Sequence, residues 1–360
     1  MIDPSAPPPR RLSDALAGLG RVVVAFSGGV DSSVLAHAAL RELGPSQVLA
    51  VTAESASLAT GELDHCRDLA ATWGLPWRSV RTEELDDPRY LANGADRCAW
   101  CKTALMDQLD PLARELDATV VLGVNLDDLG DHRPGQAAAA ERGARFPLVD
   151  AALTKSDVRA LAQRSGLSVW DRPAMPCLSS RIPYGTAVTV DLLGRLDRAE
   201  LAVRALGFGD VRVRHHGQTA RIEVPRGDLP AAAERADELV RALEALGYRY
   251  VTLDLAGLRS GNLNGALGAA EHIRTGRCCL DAIERHGGLD QVGLRNGPAA
   301  RVDVRRGVAE LGGKGRGHDR NLRTTPDERK PYTCPCGSTS GGCSPPNCTI
   351  PLRRIHQAIR

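Results

Sequence analysis

The chain has 360 residues, 42% hydrophobic and 25% charged, which is an ordinary soluble composition long enough for two domains. No apolar stretch approaches the roughly 20 residues that cross a bilayer. Met1 to Arg10 is proline-rich and lacks the apolar centre of a secretory signal, so a cytoplasmic protein with a disordered lead-in over 1–11 is expected.

Ten cysteines in that compartment point to thiols, metal ligands or catalysis before disulfides. The formal charge of +2 conceals a split. Residues 271–360 carry a net +7 and six of the ten cysteines, and the remainder a net −5. The two parts therefore need separate readings.

Arg21 to Phe26 (RVVVAF) is a short β-branched run of the kind found in buried parallel strands. Ser27-Gly28-Gly29-Val30-Asp31-Ser32-Ser33 follows, then an amphipathic stretch from Val34 to Leu43 that ends at Gly44. A second strand, Gln47 to Ala53, precedes a helix that Thr60 can cap. Its apolar positions Leu63, Cys66, Leu69, Ala70 and Trp73 keep helical spacing, which makes Cys66 a packed core thiol. A strand at Trp77 to Arg81 leads to a long segment with RCAWCK. A helix over Lys102 to Leu116 and a strand over Thr119 to Val124 come next. The alternation predicts an α/β fold with a parallel sheet covered on both faces.

Thr154 and Asp157 form a capping pair for a helix through Arg164. A polar, proline-marked loop runs from Asp171 to Gly185. Beyond it lie a helix to Leu206, strands VRVRHH and ARIEV, a helix to Leu246 and strand YVTLDL, which together predict a smaller α+β domain with an antiparallel flavour. The expected boundaries are 12–185, 186–267 and a tail over 268–360. No internal repeat is detectable.

The Ser27–Ser33 segment sits between a buried strand and a helix. Its glycines let the backbone approach an anion, and the helix start offers free N–H groups and a positive dipole end. Ser27, Ser32 and Ser33 add hydroxyls. There is no Gly-Lys-Ser/Thr of the Walker type. The segment resembles the PP-loop of ATP pyrophosphatases, which cleave ATP between the α and β phosphates to form adenylates. Gly123, Asn125 and Asp128 at one strand end, and Ala53-Glu54-Ser55 at another, would border the nucleotide on the ligand-binding rim of an open α/β sheet.

Several further motifs resemble the LarE family. They are Cys98-Ala99-Trp100-Cys101-Lys102, Asp127 through Gly135, Cys177 through Gly185, Val251 through Leu255, and Arg259-Ser260-Gly261. The likeness runs from about residue 12 to about residue 264. It implies an ATP- and Mg²⁺-dependent sulfur transferase of nickel-pincer nucleotide synthesis. The implied substrate is a pyridinium mononucleotide with two carboxylates, each adenylated and then converted to a thiocarboxylate. Higher homo-oligomers are also implied.

Two sulfur sources occur in that family: sacrifice of a cysteine at the position of Cys177, or three cysteines holding a [4Fe–4S] cluster whose unligated iron carries sulfide. Cys98 and Cys101 accompany Cys177 here, which favours the cluster, with a structural zinc as the alternative metal. Lys102 would steady the activated carboxylate. Arg181, Arg212 and Arg214 are candidates for substrate phosphate and carboxylates, and Glu200 and Glu223 for a divalent cation.

The tail reads as disorder or a misread gene end. A zinc knob at Cys334, Cys336, Cys343 and Cys348 is the rival reading. A tRNA thiolase would also join a PP-loop to cysteines, but the acidic core lacks the basic surface that RNA needs. A non-catalytic nucleotide-binding regulator conflicts with the intact SGGVDS and Cys177.

Overall fold

The computed structural model describes residues 8–130 and 134–259. The expected tail, most of the lead-in, Asp131-His132-Arg133 and Ser260-Gly261 lie outside the described residues.

Val22, Val23 and Val24 are all fully buried, a pattern that only a strand covered on both faces allows. They belong to β1 (Val22–Ala25), which pairs in parallel with β2 (Val48–Glu54) on one side and β4 (Thr119–Leu122) on the other. β3 (Trp77–Arg81) adds in parallel to β2, giving the order β3-β2-β1-β4. The chain thus builds outward from β1 to β3, then crosses to β1's other edge. That reversal opens a crevice at the carboxyl ends of β1 and β4, where open α/β sheets bind ligands.

Side chains alternate between the sheet faces. Val22 and Val24 pack with α1 (Arg10–Ala17), α2 (Val30–Leu43), α3 (Glu62–Trp73) and α8 (Lys155–Arg164). Val23 packs with α5 (Arg97–Leu116) and α6 (Pro134–Glu141) on the opposite face. Two short turns pack elsewhere: α7 (Pro147–Asp150) through Leu148 in the core beside Val22, and α4 (Pro88–Leu91) through Tyr90 against Leu178 and Ile182. Among the described residues no helix is long and apolar enough to cross a membrane.

The second sheet is small and mixed. β5 (Arg212–His216) and β6 (Thr219–Glu223) form an antiparallel hairpin whose turn uses Gly217 at φ +61°. β7 (Tyr250–Leu253) then joins β6 in parallel, after α10 (Leu229–Glu234) and α11 (Ala236–Glu244). α9 (Val190–Ala205) and α11 cover this sheet through Ala199, Val203, Leu239 and Leu243. A further buried cluster joins Ala59, Tyr90, Leu178, Ile182, Leu193 and Leu196, so α9 packs on the turn that follows Cys177.

The structure moves three sequence expectations. α2 starts at Val30, so Asp31, Ser32 and Ser33 form its first turn and are not part of a loop. α5 starts at Arg97, which puts Cys98 and Cys101 inside a helix. Asp96 stands at its N-cap but makes no capping bond, accepting from the Trp100 indole instead. Thr60 caps nothing. Its backbone N–H and hydroxyl both donate to Asp197 of α9, at 3.0 and 2.5 Å, and α3 begins instead behind Gly61.

Candidate active site

The loop after β1 is built before any ligand arrives. Gly28 adopts φ +68°, and a Cβ there would lie 2.9 Å from both the Cys66 sulfur and the His65 ring. No other residue fits without displacing α3. Ser32 closes the loop from inside. Its hydroxyl accepts from the Ser27 N–H (3.2 Å), shares a bond with the Ser27 hydroxyl (3.1 Å) and donates to the Gly29 carbonyl (3.1 Å). Gly29 precedes α2 with no side-chain cap, which leaves the helix start to a ligand. The buried Ser33 hydroxyl has no partner among the described residues.

Asp31 anchors the opposite wall. Its carboxylate accepts from Asn125 Nδ2 at 3.0 Å and pairs with the Lys155 ammonium. Asn125 is fully buried. Its backbone N–H donates to Asp128 (3.2 Å), and its side-chain oxygen accepts from the Asp127 N–H (3.0 Å). Asp127 in turn accepts from the Lys155 N–H at 2.8 Å. The residues expected around the nucleotide at β1 and β4 therefore converge, and Lys155 joins them. Ala53 lies near the end of β2, opposite Val80.

Lys155 was missed because Thr154 and Asp157 made the α8 start look like a simple capping box, which it also is. A signal existed. A lysine in a helix's first turn opposes the helix dipole, so its presence there calls for an anionic partner.

The segment leading to Cys177 is held by arginines. Arg159 donates to the carbonyls of Trp170 (2.7 Å) and Arg172 (3.2 Å), Arg212 to Ala174 (2.9 Å), and Arg181 to Pro176 (2.5 Å) and Cys177 (3.2 Å). Every second carbonyl from 170 to 176 thus ends on a guanidinium. Arg172 also ties the segment to the phosphate loop. It pairs with Glu62 at 2.7 Å and reaches the Gly28 carbonyl at 3.4 Å, where His65 Nε2 also bonds. The Leu178 N–H donates to the Ser57 carbonyl (2.8 Å), so Cys177 is moored just beyond the end of β2.

Three thiols face one another's charge here. Cys101 is raised to about 12, by burial first and then by Cys177 and Glu84. Cys98 keeps exposed surface, yet protein around its sulfur desolvates the thiol and raises it, while Arg97 draws it back. Tyr90, fully buried and 2.5 Å from the Ser179 hydroxyl, is raised by burial and then by Cys177. Lys102 lies on the same helix and its charge favours the Cys98 and Cys101 thiolates. Among the described residues no group of three or more His, Cys, Asp or Glu side chains stands at metal-holding distance. Cys66 is a core thiol against α3, pushed up to about 11 by burial.

Arg181, expected to face substrate, is 1% exposed and turned inward on Glu200 (2.8 and 3.1 Å). Arg214 grips Glu223 in the same two-pronged way (2.7 and 3.0 Å). Glu200 and Glu223, expected on a divalent cation, are fully buried and pair with these guanidinium groups. Arg204 and Arg221 add to the pairing. Arg212 differs. Among the described residues its donors reach the neutral carbonyls of Arg259 and Ala174, and burial, then Arg181 and Arg214, lower its pKa. Among the described residues no carboxylate stands at bonding distance of it, unlike Arg181 and Arg214.

Comparison with known proteins places this arrangement. A pyridinium-3,5-bisthiocarboxylic acid mononucleotide synthase of Lactiplantibacillus plantarum is 41% identical over 258 residues, covering 71% of this chain and 94% of its own length. The chain belongs to the LarE-like family of PP-loop proteins. An uncharacterised protein of Synechocystis sp. is 46% identical over 252 residues, covering 69% of this chain and 94% of itself. A tRNA(Ile)-lysidine synthase of Edwardsiella ictaluri matches less of both chains, 33% identical over 126 residues, or 33% of this chain and 27% of its own. No family model matches the chain. This LarE-like chain is related to ATP-dependent sulfur-transfer enzymes, and its parallel sheet suits ATP and Mg²⁺.

Proposed function

We propose that the chain activates the carboxylates of pyridinium-3,5-biscarboxylic acid mononucleotide with ATP and converts them to thiocarboxylates. The observation that carries this reading is that Arg172 ties the segment leading to Cys177 to the PP-loop, while the Ser57 carbonyl moors Leu178 beyond β2. The 41% identity with a synthase of the bisthiocarboxylic product supports the substrate.

A carboxylate is a poor electrophile. Its oxygen attacks the α-phosphorus, the α–β bond breaks and pyrophosphate leaves. Sulfur then adds to the acyl carbon, and AMP departs with the bonding electrons. Ser27 to Ser33 hold the phosphates at the α2 start, and Lys155 supplies charge to them. Asp31 carries Mg²⁺. Arg212 takes an anionic group of the mononucleotide.

The donor set fits an iron–sulfur group in its chemistry. Two cysteines one helical turn apart and one from a neighbouring loop burden each other with like charge, which a cation relieves. Cys98, Cys101 and Cys177 would hold a [4Fe–4S] cluster, which when bound supplies sulfide to the activated carboxylate.

The test is incubation of the full chain with ATP and the dicarboxylate mononucleotide, read by mass spectrometry. AMP, pyrophosphate and oxygen-for-sulfur exchange are expected. Changing Cys98, Cys101 or Cys177 to alanine should each remove or loosen bound iron. Dehydroalanine at position 177 forming in step with product, in protein free of iron, overturns the cluster in favour of sacrifice of Cys177.

A further inference from the structure

Arg97 opens α5 with its side chain 2% exposed. Its Nη1 donates to Asn93 Oδ1 at 2.6 Å and to the Ser179 carbonyl at 2.8 Å. Both acceptors are neutral, and among the described residues no carboxylate stands within ion-pair distance of it. A guanidinium cannot shed its proton at any working pH, so the fold retains a buried cation without a carboxylate. Its place at a helix N-terminus compounds the cost, because the dipole there is already positive.

The surroundings fix this cation firmly. Asn93 is fully buried at φ +53°, a conformation most residues avoid. Its amide nitrogen donates to the carbonyls of Pro183 and Thr186, both at 2.8 Å, so its oxygen must face Arg97. Groups able to carry negative charge do lie nearby, and they are the Cys98 and Cys177 thiols with the Tyr90 and Tyr184 phenols. Burial opposes the charge on Arg97, and these groups more than offset it, so its pKa lies above the ordinary arginine value. The Tyr184 ring centroid is 5.8 Å away.

We infer that Arg97 is the counter-cation of the sulfur site, its fixed charge set next to Cys98 in α5 and, through the Ser179 carbonyl, two residues from Cys177, where it would hold anionic sulfur. The inference rests on the reading of these thiols as the sulfur source. It assigns to the site a ligand class, anionic sulfur, and to Arg97 a role at the reacting atoms. Lys102 contributes a more distant charge from the next turn of α5.

A charge-sensitive alkylation tests this on the full-length, reduced, metal-free chain. Anionic iodoacetate and neutral iodoacetamide both attack the same thiolate, so the ratio of their rates at Cys177 cancels the thiolate fraction and reports local charge. Arg97→Gln, which can still bond Asn93 and Ser179, should lower that ratio about tenfold. Arg97→Lys should keep it near the wild-type value, and Lys102→Gln should lower it less than Arg97→Gln. An equal change with both reagents marks a merely structural arginine and overturns the inference.

Should Arg97→Gln not fold, wild type alone decides. Its ratio at Cys177 must exceed that of the same cysteine in the urea-unfolded chain, and equality overturns the proposal. Failure of the sulfur-transfer reading looks different, because wild type would then form no thiocarboxylate whatever the ratio.

Discussion

Gly123 stands so close to the first turn of α2 that a Cβ on it would lie 2.6 Å from the Ser32 amide nitrogen. This contact joins the end of β4 to the phosphate loop across the point where the strand order reverses.

Gly123→Ala must therefore push α2 and β4 apart, since the atoms met are backbone and cannot swing aside. A stability loss of about 1–3 kcal/mol is expected from overpacking. ATP turnover should fall by more than the loss of folded protein explains. Thermal melts beside pyrophosphate release measure both, and a variant with wild-type turnover refutes the contact's importance.

The Asp31–Lys155 pair predicts two distinct defects. Asp31→Ala should abolish ATP splitting, through loss of the carboxylate proposed to hold Mg²⁺. Lys155→Ala should lower ATP affinity about tenfold, or ~1.4 kcal/mol, by removing the charge proposed to meet the phosphates. AMP and pyrophosphate are the expected wild-type products, and ADP with orthophosphate would contradict PP-loop chemistry.

Among the described residues Arg212 donates to neutral carbonyls, so Arg212→Ala should weaken the mononucleotide more than ATP. A loss of about tenfold for the former is expected. Calorimetric titration of both ligands decides, and equal losses would reduce Arg212 to a support of Ala174.

Asp150 offers a pH signature away from the site. Burial raises its carboxyl from 3.8 to about 6, and Arg145 only partly offsets this. One of its oxygens is buried without a hydrogen bond. A raised acid holds its proton more tightly when folded, so stability falls as pH rises from about 4 through 6. The gap corresponds to about 3 kcal/mol at most. Asp150→Asn should stabilise the protein by about 1 kcal/mol above pH 7, with the gain fading by pH 4. Denaturation midpoints that run parallel across this range would remove the assignment.

The framework was legible wherever local chemistry repeats itself. Val22 to Val24 announce a doubly covered strand, and Gly28-Gly29 announce an anion loop. What the sequence concealed were relationships across distance. Thr60 looks like a helix cap but bonds Asp197, 137 positions away. Arg181 and Arg214 look like substrate ligands, and only the fold brings Glu200 and Glu223 against them. Arg97, the first residue of α5, reads as an ordinary charge, because nothing local says that it is buried with no carboxylate beside it among the described residues. Cys98 and Cys101 were legible as a pair, but their nearness to Cys177 depends on the Ser57 carbonyl.

The lacing of residues 170–177 onto Arg159, Arg212 and Arg181 has a consequence for interpreting variants. Those carbonyls have guanidinium forks where a sheet would offer a neighbouring strand, so three unlinked side chains jointly set the posture of one thiol. A lysine cannot replace a fork that spans two carbonyls. A defect in sulfur delivery after mutating any of the three is therefore ambiguous between lost substrate contact and a displaced Cys177. Genetic screens of this fold will score arginines as though they touched the reaction when some of them only hold the thread.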